Sequence, residues 1–214
     1  KIINMNKNLK LLFTEEEIAG KIKTKLPKLF QIAEMESQRA GKVGMEVGSI
    51  RERIIVSLMI YRFGEENVDT EIPITEPEVD VVVYNNPVSI KTKSGTSLSG
   101  VKLIWTVDSE NAQYFQNNYK PSCDMIFVQI NWNHTGGLFY FPKETQLECF
   151  DYLGRESYIK LPSKGTNPRG VEISTSAMKM LVNHSDSLKI DIEWKKEEIE
   201  FNAFKRWIEI WAQE

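Results

Sequence analysis

The chain is poor in the residues that build most zinc and nucleophile sites. Its 214 residues include 2 histidines and 2 cysteines, which lie in separate segments at His134, His184, Cys123 and Cys149. A zinc site draws its ligands mainly from histidine and cysteine, and a serine or cysteine nucleophile usually needs a histidine beside it. The sequence therefore disfavours zinc chemistry and histidine-dependent nucleophilic catalysis.

Several segments that mark other protein classes are also missing. The sequence has no Walker-type phosphate loop, no dinucleotide-binding fingerprint, no signal peptide and no long apolar run. Its formal net charge is only −3, unlike that of a chromatin-type binder, although local lysine clusters still set the field over DNA. We therefore expect a cytoplasmic protein with no membrane partner, folded as a single domain over residues 1–214.

The most informative segment is residues 78–93, with the sequence EVDVVVYNNPVSIKTK. Two runs rich in β-branched residues flank a pair of asparagines, a pattern typical of a β-hairpin. A two-residue loop at Asn85-Asn86 predicts that Asp80 lies directly opposite Lys91 in the antiparallel pair. The hairpin is therefore expected to bring a carboxylate and an ammonium group together.

Alternation along the strands adds further charges to this hairpin. Side chains two residues apart share a face, so Ser89, Lys91 and Lys93 lie together, as do Glu78 and Asp80. Carboxylates bind Mg²⁺, and a lysine neutralises charge beside a phosphate or positions the attacking water. This set indicates metal-dependent phosphodiester hydrolysis. The alternative is an ordinary surface salt bridge on a half-exposed hairpin.

Asp80 and Ser89-Ile90-Lys91 resemble the PD-(D/E)xK nuclease signature. The order of predicted elements in the core, about residues 49–131, is similar as well. The resemblance implies an α/β fold with a mixed central sheet flanked by helices, and with additional C-terminal helices and strands. The predicted core elements around the hairpin are a helix Ser49–Phe63, a strand Asn67–Thr75, a strand Val101–Thr106, a helix Asp108–Asn118 and a strand Asp124–Ile130.

The whole chain is similar to small type II restriction endonucleases, in particular to the group related to ThaI, which cuts a CG-rich palindrome. The resemblance implies a Mg²⁺-dependent homodimer acting on double-stranded DNA. It also implies that Asp80 and the backbone carbonyl of Ile90 bind the metal, while Lys91 acts near the attacking water. Two rival functions remain open: a structure-specific repair or recombination nuclease of the same fold, and a non-catalytic DNA-binding module.

The chain departs from the PD-(D/E)xK pattern at two positions. Val79 stands where the family has proline, and Ser89 stands where it has the second acid. A hydroxyl is a poor replacement for a carboxylate ligand, so another acid is expected to complete the metal site. Glu52 is the leading candidate, because a helix before the hairpin sometimes contributes a glutamate in this superfamily, and Glu78 is the other. Alternatively, Glu52 forms a capping box with Ser49.

Three segments are candidates for DNA contact. Lys93 and the polar loop that follows it, with Ser94, Thr96 and Ser97, are suited to phosphate contacts. The glycine-rich segment Gly41–Gly48 carries Met45, which we interpret either as an apolar wedge between base steps or as a packing residue for the next helix. The third candidate is a polar, basic loop that contains Lys164 and Arg169.

The remaining segments are expected to support the core and to contribute to recognition. They are an N-terminal helix within residues 14–40 and a C-terminal segment, residues 142–214. The last predicted helix carries a wide apolar face, which is suited to a dimer interface. The predicted C-terminal elements are helices Pro142–Leu153, Ser174–Asn183 and Glu197–Gln213, and strands Tyr158–Leu161 and Leu188–Ile192.

Overall fold

The structure is a computed structural model that describes residues 6–39, 42–44, 46–73, 78–106, 108–163 and 170–213. The helices are α1 Lys7–Thr14, α2 Glu16–Glu36, α3 Val47–Phe63, α4 Ser109–Asn118, α5 Lys143–Leu153, α6 Arg155–Tyr158, α7 Thr175–Asn183 and α8 Lys205–Trp211. The strands are β1 Gln38–Arg39, β2 Lys42–Val43, β3 Val68–Asp69, β4 Val81–Val83, β5 Asn86–Ser94, β6 Val101–Ile104, β7 Asp124–Ile130, β8 Thr135–Phe141, β9 Ile159–Lys160, β10 Val171–Ile173 and β11 Leu188–Glu193.

A six-stranded mixed sheet forms the centre of the fold, in the order β11-β8-β7-β5-β4-β3. Strands β5 and β7 are parallel, whereas the other neighbouring pairs are antiparallel. Strand β7 is almost entirely buried, as the continuous apolar sequence Met125–Val128 leads one to expect for a strand covered on both faces. The predicted fold class, a mixed sheet flanked by helices, is confirmed.

The two faces of this sheet belong to separate apolar clusters. Ile126 and Val128 of β7 pack with α1, α2 and α3 on one face, whereas Met125 and Phe127 pack on the other. The second face is covered by α4 to α7 and by a three-stranded sheet in the order β6-β10-β9. Because side chains alternate along a strand, the same residues that build the core also fix which face each polar neighbour occupies.

The register of the β4–β5 hairpin differs from the predicted one. Val83 pairs with Asn86, so the two-residue loop is Tyr84-Asn85 rather than Asn85-Asn86. Both loop residues have positive φ, 47° at Tyr84 and 62° at Asn85, as a tight hairpin turn with strand-matched twist requires. Asp80 therefore lies across from Ser89, and not from Lys91. The slip is two residues along one strand, so Asp80 and Lys91 still share a face.

Tertiary contacts explain why a tyrosine occupies this turn. The ring of Tyr84 packs edge-on against Phe63 at 5.8 Å between centroids, and its backbone N–H donates to the carbonyl of Asn67 at 2.9 Å. The side chain of Asn86 donates to the carbonyl of Tyr84 at 2.8 Å. These contacts favour the left-handed conformation at Tyr84, which is costly for an aromatic residue on local grounds alone.

Two other predicted elements are corrected, and one helix was not predicted. The N-terminal helix expected within residues 14–40 is α2, whereas α1 precedes it, and Glu15 between them is extended and binds Arg62 through its side chain. The strand expected over Asn67–Thr75 is only β3, since Glu65–Asn67 forms a 3-10 turn and residues 74–77 lie outside the described part. The helix expected over Glu197–Gln213 is reduced to α8, whose residues are all exposed and receive no support from a packed face.

The remaining predicted elements match the structure within a few residues. In the C-terminal half, α5, α7 and β11 occupy the predicted positions, with Ser174 as the cap of α7 and Gly154 ending α5. Within the described ranges, none of the helices combines the length and the apolarity that a membrane span requires.

Candidate active site

A cleft of about 860 Å³ opens between the start of α3, the β4–β5 hairpin and β6. The residues that line it include two acids and a lysine that the sequence singled out: Glu52, Asp80 and Lys91. Ile90 also lines the cleft, whereas Lys102 and Trp105 form part of its β6 side. The fold therefore brings a helix glutamate to the same cavity as the hairpin aspartate, although 28 positions of sequence lie between them.

Asp80 is held tightly just before β4. Its backbone N–H donates to the carbonyl of Val88 at 3.0 Å, and its Oδ2 accepts three hydrogen bonds. The donors are the hydroxyl of Ser89 at 3.3 Å, the backbone N–H of Ile90 at 2.5 Å and the Nζ of Lys91 at 3.3 Å. Among the hydrogen bonds of the described residues, none goes to Oδ1 of Asp80. One carboxylate oxygen is thus used for positioning, which leaves the other for a ligand.

The Asp80–Lys91 pair is not a surface salt bridge. The two side chains are only 18% and 14% exposed, so their mutual attraction is screened less than that of a solvated pair. Ser89 is completely buried and acts as a hydrogen-bond donor to Asp80 rather than as a ligand facing the cleft. The missing second acid of the hairpin is therefore not replaced at position 89.

Glu52 projects towards this pair from the second turn of α3. Helix α3 begins at Val47, with Glu46 at its N-cap, so Ser49 lies inside the helix and is not the cap of a capping box. The capping interpretation of Glu52 is therefore wrong. The buried face of α3 consists of Arg51, Ile55, Met59 and Phe63, and Glu52, one position further round the helix, is half-buried at the cleft.

The electrostatics of Glu52 reflect this placement. Burial raises the pKa of the Glu52 carboxyl, and the negative charge of Asp80 raises it further. The positive charges of Lys91 and Arg53 act in the opposite direction. A half-buried glutamate whose pKa is raised beside a second carboxylate is an arrangement that a bound cation stabilises.

Arg51 fixes the orientation of α3, and it was not identified from the sequence. Its guanidinium is almost fully buried and donates to Glu34 on α2 at 2.6 Å and to the hydroxyl of Ser94 at 3.2 Å. The indole N–H of Trp132 donates to the same Glu34 oxygen at 2.8 Å. This buried ion pair joins α2, α3 and the end of β5. Only the burial of a charged residue on the apolar face of α3 would have indicated it.

Glu78 does not belong to the cleft. Its carboxylate is buried and accepts hydrogen bonds from the hydroxyls of Tyr119 at 2.7 Å and Ser122 at 2.6 Å. It lies in a turn before β4, so the strand alternation that placed it beside Asp80 does not apply. The structure therefore assigns Glu78 to a buried hydrogen-bond network, in contrast to the expected role as a metal ligand.

The predicted DNA-contact residues have different surroundings. Ser94 is engaged by Arg51, whereas Lys93 extends towards Gly100. Thr96 and Ser97 are exposed in the loop after β5, which is anchored by the backbone N–H of Gly95 donating to Ile130. Met45, Lys164 and Arg169 lie outside the described residues.

Two residues on the β6 side of the cleft were missed. Lys102 donates to Glu172 of β10 at 2.5 Å, and Trp105 directly after β6 is 67% exposed. Lys102 belongs to the basic stretch that starts at Lys91, and this was its only sequence signal. Lys102 and Trp105 therefore add a cationic and an aromatic side chain to the lining of the cleft.

The composition of the cleft fits a hard divalent cation. Across the described ranges, no group of three or more His, Cys, Asp or Glu side chains is arranged to hold a metal ion. Magnesium, however, is usually bound by one or two protein carboxylates, with water and substrate phosphate completing its shell. Asp80 and Glu52 supply that number, in a cavity open enough for the remaining ligands.

Comparisons with known proteins match one family model and a solved structure. The sequence model of the family described as "Restriction endonuclease ThaI" matches residues 12–213. A solved structure described as "Restriction endonuclease in complex with substrate DNA" is 53% identical in sequence and superposes with a TM-score of 0.91. The match covers 96% of this chain and 99% of that one. No curated protein sequence matches the chain.

Proposed function

The chain belongs to the ThaI restriction endonuclease family, and from this premise we propose that it is a Mg²⁺-dependent enzyme that cuts a short, CG-rich palindrome in double-stranded DNA. The observation that carries the proposal is the convergence of Glu52, Asp80 and Lys91 in one cleft. The similar protein of known structure was solved with substrate DNA, which supports DNA as the substrate of this chain too.

Each of the three side chains has a distinct role in this proposal. Asp80 and Glu52, with the backbone carbonyl of Ile90, hold the cation. When bound, Mg²⁺ supplies positive charge at the scissile phosphate and acidifies coordinated water. Lys91 neutralises the developing charge and orients the attacking water, and Asp80 holds its Nζ in place at 3.3 Å. Ser89 and the N–H of Ile90 fix the Asp80 carboxylate through Oδ2.

Residues next to those of the cleft in sequence are proposed to contact DNA. Lys93 lies near the end of β5, and Thr96 and Ser97 are exposed in the loop that follows it, where they are suited to phosphate contacts. Lys164 and Arg169 are proposed to contribute charge from a separate loop. Contacts to phosphates do not depend on the DNA sequence. They set the affinity and the orientation of the protein, so other residues must recognise the bases.

A homodimer accounts for cleavage of a palindrome. Two copies related by a two-fold axis match the symmetry of the site, and each copy hydrolyses one strand. Exposed aromatic residues of α8, among them Trp207 and Trp211, supply an apolar surface for such an assembly. We therefore propose that the active form contains two copies of the chain.

Digestion of unmethylated plasmid and genomic DNA tests the proposed activity. With Mg²⁺ we expect a fixed set of fragments whose ends share one short palindromic sequence, and with EDTA we expect intact DNA. Degradation without discrete bands, together with a preference for branched or flapped substrates, would instead identify a structure-specific nuclease. Full cleavage in EDTA would contradict the proposed role of the metal.

A further inference from the structure

The C-terminal arm, residues 198–213, is half-buried at Ile199 and Phe201 and exposed from Asn202 onwards. Its last anchor is Glu197, whose backbone exchanges two hydrogen bonds with the side chain of Gln31 on α2, at 2.7 and 2.9 Å. From Glu198 onwards no residue of the arm is buried. The family match continues to residue 213, so it includes the arm.

Helix α8 in this arm carries an apolar stripe with the spacing of a helix that binds in a groove. Phe204, Trp207, Ile208 and Trp211 recur at intervals of three and four, which places them on one face. They are 71%, 57%, 60% and 88% exposed. Such a set of large apolar anchors is characteristic of a helix that is bound by a partner.

An apolar groove of about 250 Å³ lies between α2 and α3, on the outer face of the helical layer. It is lined by Ile22, Leu26, Leu29, Ile54 and Leu58, with Lys21 and Lys25 at its rim. Leu29 remains 41% exposed, which is costly for a residue in a concave surface. The groove has room for about one large side chain and part of a second.

We propose that the C-terminal arm of one copy binds in the α2–α3 groove of a second copy, so that the two copies exchange arms. This inference rests on the proposed homodimer and names its interface. The occupant is a second copy because the arm and the groove occur in the same chain but are not in contact there. In two copies related by a two-fold axis, each arm covers the groove of the other copy, so both arms and both grooves are buried.

The size of the contact supports a stable dimer. The arm carries four aromatic residues, Phe201, Phe204, Trp207 and Trp211, and aromatic side chains bury roughly 150–250 Å² each. With one of them in the groove and two more against the helix surfaces beside it, each arm accounts for on the order of 500 Å². Two arms and the surfaces that they cover reach on the order of 2,000 Å², within the range of stable interfaces. A dimer in which the two α8 helices pack only against each other is a poorer alternative to the arm exchange. Helices of two turns are unstable in water without a preformed surface to bind.

Charge complementarity points the same way. The arm begins with Glu198 and Glu200, whereas Lys21 and Lys25 of α2 line the groove. Lys21 pairs with Glu17 of its own helix at 2.6 Å, and Lys28 of α2 approaches Glu197 of its own chain at 3.8 Å. The acidic start of the arm beside Lys25 favours the arm over a basic ligand.

Cysteine cross-linking between two differently tagged proteins tests the exchange. One protein carries Ile208→Cys in the arm and the other carries Ser57→Cys, an exposed groove residue. The native Cys123 and Cys149 are buried and free, so they should react little. After co-expression, we expect a disulfide that joins position 208 of one protein to position 57 of the other. Tyr152→Cys, which replaces a 79% exposed residue of α5, is the matched control and should give no such product.

Other products would overturn the proposal in recognisable ways. A dimer linked only between two copies of position 208 places arm against arm and excludes the groove. If a single chain that carries both Ile208→Cys and Ser57→Cys forms the disulfide within itself and stays monomeric, the arm covers the groove of its own chain. If light scattering shows a monomer at micromolar concentration with and without DNA, the proposed homodimer itself fails, whereas Mg²⁺-dependent cleavage is judged separately by the digestion.

Alanine variants provide a second readout. Trp207→Ala with Trp211→Ala should raise the dimer dissociation constant at least 100-fold, and should leave the melting temperature of the diluted monomer unchanged, because neither side chain is buried in its own chain. Leu29→Ala in the groove should raise the dissociation constant as well, whereas Tyr152→Ala should not. An unchanged dimer in the arm variant contradicts the exchange.

Discussion

The hydroxyl of Ser89 donates a hydrogen bond of 3.3 Å to Oδ2 of Asp80, and the Nζ of Lys91 reaches the same oxygen at 3.3 Å. Ser89 therefore orients the aspartate, and Glu52 on α3 lines the same cleft. In the proposed site, Asp80 and Glu52 bind the cation whereas Ser89 holds Asp80 in place, so we expect each residue to respond differently to substitution.

Ser89→Ala should reduce cleavage only modestly. The substitution removes one hydrogen bond to Asp80, whereas the N–H of Ile90 and the Nζ of Lys91 continue to hold the carboxylate. A typical hydrogen bond contributes about 0.5–1.5 kcal/mol, so we expect a rate loss of roughly tenfold or less. Single-turnover cleavage of plasmid DNA measures this. A loss as large as that of Asp80→Asn would mean that Ser89 is itself a ligand or a proton donor.

Asp80→Asn and Lys91→Met should each abolish cleavage while the protein still binds DNA. Asp80→Asn should bind DNA at least as tightly as the wild type, because it removes a negative charge that faces phosphate. Cleavage and gel-shift assays on the same preparations give both quantities. The matched control is Asp191→Asn, which removes the carboxylate of an exposed ion pair with Lys189 on β11 and should cleave normally. Near-normal cleavage by either site variant would remove the hairpin from the active site.

Glu52→Gln should lower the cleavage rate by orders of magnitude without lowering stability. The amide is nearly isosteric, and α3 does not use Glu52 as a cap. Because the pKa of Glu52 is raised in the folded state, its stabilising contribution is present below the unfolded pKa and is lost as the pH rises through the folded pKa. Ionised Glu52 therefore destabilises the metal-free protein at neutral pH.

The pH dependence of this variant follows from that sign. In EDTA, Glu52→Gln should melt at a higher temperature than the wild type at pH 8, and the difference should shrink as the pH falls to 4. Calorimetry across this range measures it, with Ser49→Ala as the control for any cap at the start of α3. A variant that cleaves normally and melts at a lower temperature at all pH values would return Glu52 to a purely structural role.

Glu78→Ala should have the opposite profile. It leaves the buried hydroxyl of Tyr119 without its carboxylate acceptor, which costs about 1–3 kcal/mol, whereas the exposed Ser122 can bind water instead. The melting temperature should therefore fall clearly, whereas the cleavage rate and its dependence on Mg²⁺ concentration, measured well below that temperature, should stay close to wild type. A shifted Mg²⁺ dependence would show that Glu78 contributes to the metal site after all.

The sequence was sufficient for features that depend on local pattern. The apolar run of β7 and the cap of α7 at Ser174 needed no tertiary information. The pairing partner of Asp80, in contrast, depends on tertiary contacts, since the turn residue Tyr84 adopts its positive φ through contacts with Phe63 and Asn67. Local turn preferences favour asparagine at both loop positions and therefore gave a register displaced by two residues.

The predictions for Glu78 and Glu52 also show which features depend on local pattern and which depend on tertiary contacts. Alternation placed Glu78 beside Asp80 because it assumed a continuous strand, whereas the chain before β4 turns away to Tyr119. The choice of Glu52 rested on the resemblance to a superfamily, and helical periodicity alone did not separate it from a capping role. What decided its position is the buried Arg51–Glu34 pair, a contact between two helices that no local pattern encodes.

The final prediction concerns Met45. The structure describes its two neighbours in sequence, Gly44 and Glu46, and Glu46 lines the cleft. We propose that this methionine enters the DNA as an apolar wedge from each subunit. It is unbranched and polarizable, so it suits insertion between base pairs. Pyrimidine–purine steps such as CG or TA unstack at the lowest cost, so the recognition site should place such a step at its centre, where the two subunits meet.

Met45→Ala should weaken specific binding more than non-specific binding, because the phosphate contacts that dominate the latter survive. The direct measurement is the fluorescence of a base analogue at the central step, which rises when stacking is lost. Wild-type protein should raise the signal on specific DNA and leave it unchanged on a scrambled duplex, and Met45→Ala should lose most of this rise. An unchanged signal with tightly bound wild-type protein would place Met45 in the packing of α3 instead.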